Sequence, residues 1–268
     1  MHKSLTVSDI RKMRENGEPI AALTAYEAGF ASEMDAAGAD VVLVGDSLGM
    51  VVQGQPDTIA VTTDEMVYHC ALVRRGLERA YLMADLPFLS YASHDQALFN
   101  AARLLQQGGA SMVKLEVDGR DCDLIGTLSR RSIPVCAHIG LRPQQSRQLG
   151  GYGLHGRDEK IALQTLEDAR MLEQAGADMI LVECVPSELG QRIREAVSVP
   201  VIGIGAGPGV DGQILVMYDM LGMGEDPHPR FVVDFLKECG SIRGAFSAYV
   251  QAVKNRLYPS PEQSYGSV

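Results

Sequence analysis

The sequence predicts a closed (β/α)8 barrel of the TIM type, formed as a single catalytic domain over residues 1–268. Three observations lead there. Short apolar runs alternate with helix-length amphipathic stretches along the chain, and five of these runs end on an ionisable residue. Apolar runs spaced in this way read as strands of an all-parallel sheet. The third observation is the count: eight evenly spaced strand–helix units in about 250 residues favour closure over an open doubly wound sheet.

The elements follow in order. A first strand is expected over 21–26, then a helix over 27–37 that stops at Gly38. The second strand, 41–47, leads through a long loop to a helix over 64–77. The third, 81–87, precedes a helix over 95–107. Strands four to eight are expected at 112–117, 135–141, 179–185, 201–207 and 214–221, before a last helix over 230–254. Ser93-His94-Asp95-Gln96 and Thr62-Thr63-Asp64-Glu65 carry helix-start signals. Two loops, 48–63 and 142–158, exceed simple connectors; the latter contains Gly150-Gly151-Tyr152-Gly153-Leu154-His155-Gly156-Arg157. Long loops in compact folds often act as lids or binding elements.

Composition narrows the function classes. A net charge of -10 without a basic stripe argues against nucleic acid. No apolar run approaches the ~20 residues that cross a bilayer, and the charged first 19 residues contain no signal-type apolar stretch. The five cysteines show no metal-type pairing and read as reduced core thiols, which points to the cytoplasm.

The polar strand ends are Asp46, Asp85, Glu116, His138 and Glu183. A carboxylate after a strand often caps the next helix, but five such groups on one face suit an active site, because a parallel barrel opens all its carboxyl ends together. Side chains alternate along a strand, so Met112, Lys114 and Glu116 should share the inner face, with Val113, Leu115 and Val117 on the outer. Lys114 then either serves chemistry or forms an internal salt bridge with Glu116 or a neighbouring acid. Asp46, Asp85 and Glu116 should converge, and three repelling carboxylates call for a proton or a cation. Oxygen-only donors suit Mg²⁺ better than Zn²⁺.

Such an ion would act as a Lewis acid on a ketone. Glu183, across the barrel from Asp46, is the candidate base for an α-proton. Lys114 and His138 would complement a negative substrate, and Ser47 offers its hydroxyl and N–H to a carboxylate. The glycine-rich run 201–207 fits either a phosphate cradle or close packing.

Val-Gly-Asp46-Ser47-Leu-Gly-Met, Ala-Asp85-Leu-Pro-Phe, Val-Lys114-Leu-Glu116, His138-Ile-Gly-Leu, Leu-Val-Glu183-Cys-Val-Pro and Val-Ile-Gly-Ile-Gly-Ala-Gly follow one another in order. Together they resemble the ketopantoate hydroxymethyltransferase family, and the likeness runs from about Thr24 to Tyr258. The resemblance implies a barrel of the phosphoenolpyruvate/pyruvate superfamily that uses Mg²⁺. It implies transfer of a hydroxymethyl group from 5,10-methylenetetrahydrofolate to 3-methyl-2-oxobutanoate, giving ketopantoate for pantothenate and coenzyme A synthesis. By position, Asp46, Asp85 and Glu116 would surround the metal, and Ser47, Asp85 and Lys114 would contact the oxo acid. Glu183 would accept the proton, with His138 against the substrate. A homodecamer, built as stacked rings of five, is implied as well.

Three positions depart from the family's usual pattern: Gln55 in place of His, His155 in place of Gln, and Tyr218 in place of His. They bear on loops and rim rather than on the metal site. The rival readings are a superfamily lyase and a non-catalytic oxo-acid binder or scaffold. The first usually carries a Lys-Lys-Cys-Gly-like loop, which this chain lacks, and the second predicts missing members of the polar set.

Overall fold

Eight parallel strands close on themselves in chain order: β1 (Ile20–Thr24), β2 (Val41–Val44), β3 (Tyr81–Asp85), β4 (Met112–Glu116), β5 (Val135–Gly140), β6 (Met179–Glu183), β7 (Val201–Ile204) and β8 (Gly212–Leu215). β1 pairs with both β2 and β8, which seals the barrel. The computed structural model describes residues 4–150, 153–224 and 228–266. Gly151 and Tyr152 of the fifth loop lie outside the described residues.

The strands separate two apolar layers, as their alternation requires. Ile20, Val41, Leu43, Met83, Met112, Cys136, Met179 and Leu181 fill the barrel interior. Leu23, Val42, Leu82, Val113, Leu115 and Ile180 face outward into the layer beneath the helices. A side chain such as Leu82, fully buried there, contributes roughly 1.5–3 kcal/mol through lost water contact.

The chain opens with α1 (Val7–Glu15), an element the sequence reading did not assign. Ile10 and Met13 join the interior cluster beneath the strand starts. The Arg14 guanidinium donates to the carbonyls of Arg194, Val197 and Val199 and pairs with Asp211. This helix therefore closes the amino end of the barrel.

The outer helices begin where their signals stand. α2 (Ala28–Ala36) starts after Glu27, whose carboxylate accepts from Gly29 N and Phe30 N. Beyond the short α3 (Leu48–Val51), α4 (Thr63–Gly76) follows a reciprocal Thr62–Glu65 capping box, and α5 (His94–Gln106) follows Ser93. α6 (Cys122–Ser129), α7 (Ser146–Leu149), α8 (Glu159–Ala175) and α9 (Ser187–Ala196) complete the run to β7. Among the described residues, no helix is long and apolar enough to cross a membrane.

Three expectations need correction. β7 passes to β8 through residues 205–211 without a helix, so the alternation is incomplete at that step. The apolar run 214–221 is a strand only to Leu215 and then becomes α10 (Met217–Met220). Met217 N donates to Thr24 Oγ1 there, and a short apolar run alone does not separate strand from helix. The last helix is two: α11 (Phe235–Cys239) ends at Gly240, at φ +63°, and Ser241 caps α12 (Ile242–Lys254).

Candidate active site

Strand register assembles the polar ends. Asp85 lies beside Lys114, Glu116 beside His138, and Gly140 beside Glu183 in neighbouring strands. Lys114 and Glu116 share the inner face with Met112, as the period of a strand requires. All five members of the polar set, with Lys114 and Ser47, line one cavity of about 500 Å³ at the carboxyl end of the barrel.

Lys114 is its central cation. Its Nζ lies 2.9 Å from Asp85 Oδ1 and 3.3 Å from His138 Nδ1. The internal salt bridge thus exists, with Asp85 as partner rather than Glu116. Burial alone would lower the Lys114 ammonium, but Asp85, Asp46 and Glu116 outweigh it and hold it above its ordinary value. An ammonium only donates, so His138 Nδ1 must accept and the ring proton sits on Nε2. That Nε2 stands 3.2 Å from Glu183 Oε2. Burial, reinforced by Lys114, pushes the His138 pKa well down and keeps the ring neutral.

The carboxylates differ in setting. Asp46, past the end of β2, donates its backbone N–H to Asp85 Oδ2 at 3.0 Å. Burial and then the Asp85 charge push the Asp46 carboxyl up to about 7. Glu116 is raised well above its usual range by burial and by Asp46. Glu183 is raised to about 7 by burial, against the pull of Lys114. Its side chain keeps 18% exposure, toward the cavity. Ser47 Oγ is 2.8 Å from Tyr26 OH.

Backbone geometry aims the Glu183 carboxylate. Cys184 sits at φ +47°, unusual for a side-chain-bearing residue, and its amide ends hydrogen-bond Ile204 O and His155 N. Gly140, at φ +89°, lets β5 pass so close that a Cβ there would stand 2.4 Å from Glu183 O. The glycines of 201–207 serve packing instead: a Cβ on Gly207 would strike Ser187, and one on Gly205 the Phe231 ring.

Gln144 was not anticipated from sequence. Its backbone N–H donates to both Glu116 carboxylate oxygens, at 3.0 and 3.2 Å, and its Nε2 donates to Asp46 Oδ2 at 2.8 Å. Tyr91 OH in turn donates to Gln144 Oε1 at 2.6 Å. Asp219, Arg157, Phe231 and Tyr265, also unanticipated, line the same cavity. Burial pushes the Asp219 carboxyl up to about 6, opposed by His228. Gln55 lies outside the lining; His155 fixes the fifth loop through Nε2 to Thr165 Oγ1 at 3.0 Å, and Tyr218 stacks obliquely on Tyr26.

Fold and site together define a (β/α)8-barrel enzyme with paired acid–base groups at its strand ends. The barrel resembles those of phosphonopyruvate hydrolase (TM-score 0.63, 15% identity, 81% of this chain and 84% of that one) and 2,3-dimethylmalate lyase (TM-score 0.58, 18% identity, 81% and 83%). Residues 4–261 match the family model for ketopantoate hydroxymethyltransferase. The 3-methyl-2-oxobutanoate hydroxymethyltransferase of Alkalilimnicola ehrlichii is 51% identical over 98% of this chain and 95% of its own length. That of Marinobacter nauticus is 52% identical over 98% and 99%. The chain belongs to the ketopantoate hydroxymethyltransferase family.

Proposed function

We propose that this protein hydroxymethylates 3-methyl-2-oxobutanoate to ketopantoate, with 5,10-methylenetetrahydrofolate as the one-carbon donor and Mg²⁺ as the metal. Family membership supports the reaction. The observation that carries the chemistry is His138, whose Nδ1 meets the Lys114 ammonium while its Nε2, buried without an aligned hydrogen bond, lies 3.2 Å from the Glu183 carboxylate in the same cavity.

The donor chemistry fits a hard divalent ion. Five carboxylates (Asp46, Asp85, Glu116, Glu183 and Asp219) line the cavity with Lys114, Arg157, His228 and a neutral His138, an excess of negative charge that a cation offsets. Asp85 Oδ1 meets the Lys114 ammonium at 2.9 Å without an aligned hydrogen bond, so its remaining lone pair can still face a metal ion. Among the described residues no three His, Cys, Asp or Glu side chains converge into a ready cage. Mg²⁺ commonly uses one or two carboxylates plus substrate oxygens and water. Asp46 and Asp85 would hold it, and Glu116, engaged by Gln144, would complete the acidic surround. When bound, the ion would polarise the ketone and stabilise the enolate.

The chain's own groups supply the rest. Ser47, Asp85 and Lys114 take the oxo acid, with Lys114 and the Nε2–H of His138 beside its developing negative charge. Glu183, with its pKa near neutrality, takes the C3 proton. The loss of that proton prepares C3 to attack the one-carbon unit. We read the whole chain, 1–268, as one catalytic barrel that works in the cytoplasm as a homodecamer; sedimentation velocity tests the assembly.

NMR of 3-methyl-2-oxobutanoate in D₂O with the protein tests the chemistry. The C3 proton signal should vanish only with Mg²⁺, and ketopantoate should form once methylenetetrahydrofolate is added. Exchange without transfer would favour a different electrophile. Without exchange, a superfamily lyase or a binding protein becomes the better reading.

A further inference from the structure

The cavity has two chemically distinct parts. The acidic set around Lys114 is buried, whereas Tyr265 is half-buried and Arg157 of the fifth loop exposed on the same lining, with the Phe231 ring packed beside Tyr265 as an aromatic wall. A five-carbon oxo acid occupies only a fraction of about 500 Å³, so the wall remains for a second molecule.

That wall is held in place from several directions. The Phe231 and Tyr265 rings meet nearly edge to face, centroids 6.4 Å apart. Tyr258 OH donates to Phe231 O at 2.7 Å. The Tyr265 carbonyl accepts from Ser187 N at 2.8 Å and from Ser187 Oγ at 3.0 Å, tying the chain's end to the start of α9. The Arg230 guanidinium lies over the Tyr265 ring, 5.7 Å from its centroid. Arg157 is exposed and has no ion pair among the described residues, yet its charge reaches the Tyr265 phenol.

Fixed aromatic rings beside an unpaired guanidinium suit a flat conjugated ligand that carries a carboxylate. We propose that Phe231 and Tyr265 form the subsite for the second, larger substrate, with Arg157 meeting its carboxylate end. This rests on the reading that a reduced folate delivers the one-carbon unit, since that carrier has both a conjugated ring system and a carboxylate tail. Tyr265 lies beyond the segment that the family model matches, which ends at residue 261, so this part of the subsite is not read from the family pattern.

Two variants test the subsite, Tyr265→Ala and Arg157→Gln. The KM for methylenetetrahydrofolate should rise about ten-fold in the first and about three-fold in the second. The KM for the oxo acid and the Mg²⁺-dependent C3 exchange, which needs no folate, should stay at wild-type values. A folate KM within two-fold of wild type in both variants, with exchange intact, overturns the proposal. Should Tyr265→Ala lose exchange through misfolding, Arg157→Gln, at an exposed position, decides alone. Should the wild type show no exchange at all, the functional reading fails, and tetrahydrofolate binding followed by calorimetric titration still decides the subsite. Weaker binding in the variants upholds it, and equal binding refutes it.

Discussion

Gln144 Nε2 donates to Asp46 Oδ2 at 2.8 Å, so an amide on the fifth loop holds a carboxylate at the end of the second strand. The same residue's backbone N–H holds Glu116. The loop is thereby bonded to two of the three carboxylates expected around the metal. Its position and theirs are set together.

Gln144→Leu keeps the bulk and removes the amide. Asp46 Oδ2 and the Tyr91 hydroxyl then lose a buried partner, which costs about 1–3 kcal/mol. Urea unfolding should show that loss with an unchanged m-value. A midpoint equal to wild type would mean that water replaces the amide without penalty.

Glu183→Gln should nearly abolish C3 proton exchange while leaving Mg²⁺-dependent binding of the oxo acid largely in place. The amide fills the same space but accepts no proton. Unchanged exchange would remove Glu183 from the role of base.

The pH dependence follows from the raised Glu183 carboxyl, at about 7. A base acts in its deprotonated form, so exchange should be slow at pH 5.5, rise through about pH 7 and level off above it. A rate profile rising near pH 4 would indicate a Glu183 no more buried than an ordinary surface carboxylate.

Lys114→Met removes the central cation and leaves its carboxylate partners buried without it. Breaking a buried pair on one side costs roughly 3–5 kcal/mol. Lys114 lowers the pKa of Asp46, Glu116 and Glu183, so without it those folded-state values rise further above the unfolded ones. A carboxyl raised in the folded state favours folding at low pH and loses that advantage as pH climbs through its folded value. Thermal unfolding should therefore show a smaller defect at pH 5.5 than at pH 8, and an equal defect at both would contradict the charge argument.

Asp85→Asn retains shape and loses charge at the residue nearest both Lys114 and Asp46. Calorimetric titration should show Mg²⁺ affinity reduced by about ten-fold or more, since one formal charge leaves the site. Wild-type affinity would strike Asp85 from the ligand set.

What the chain discloses on reading depends on how far each residue is from its own local rule. Lys114 and Glu116 are legible because the two-residue period of a strand sends both to the face of Met112. Glu183 and Asp85 are legible because each closes an apolar run. Gln144 is not, since its place depends on how an irregular loop returns to the barrel, and no periodicity encodes that. Tyr265 is equally silent, brought to the cavity by a carbonyl bonded to Ser187. The eighth run misleads because four apolar residues suit a strand and a helix turn alike, and contact with Thr24 decides between them.

The helix that closes the amino end of the barrel has a consequence for traffic. With Ile10 and Met13 beneath the strands and Arg14 fastened across the floor, α1 plugs the amino end of the barrel among the described residues. Whatever reaches Lys114 enters from the carboxyl end of the barrel, where Tyr265 is part of the cavity lining. A large molecule resting against that wall would trap a small one below it. If the proposed subsite takes the carrier, entry would be ordered, small acid first and carrier second; intersecting lines in double-reciprocal plots with inhibition by excess carrier would bear this out, and parallel lines would contradict it.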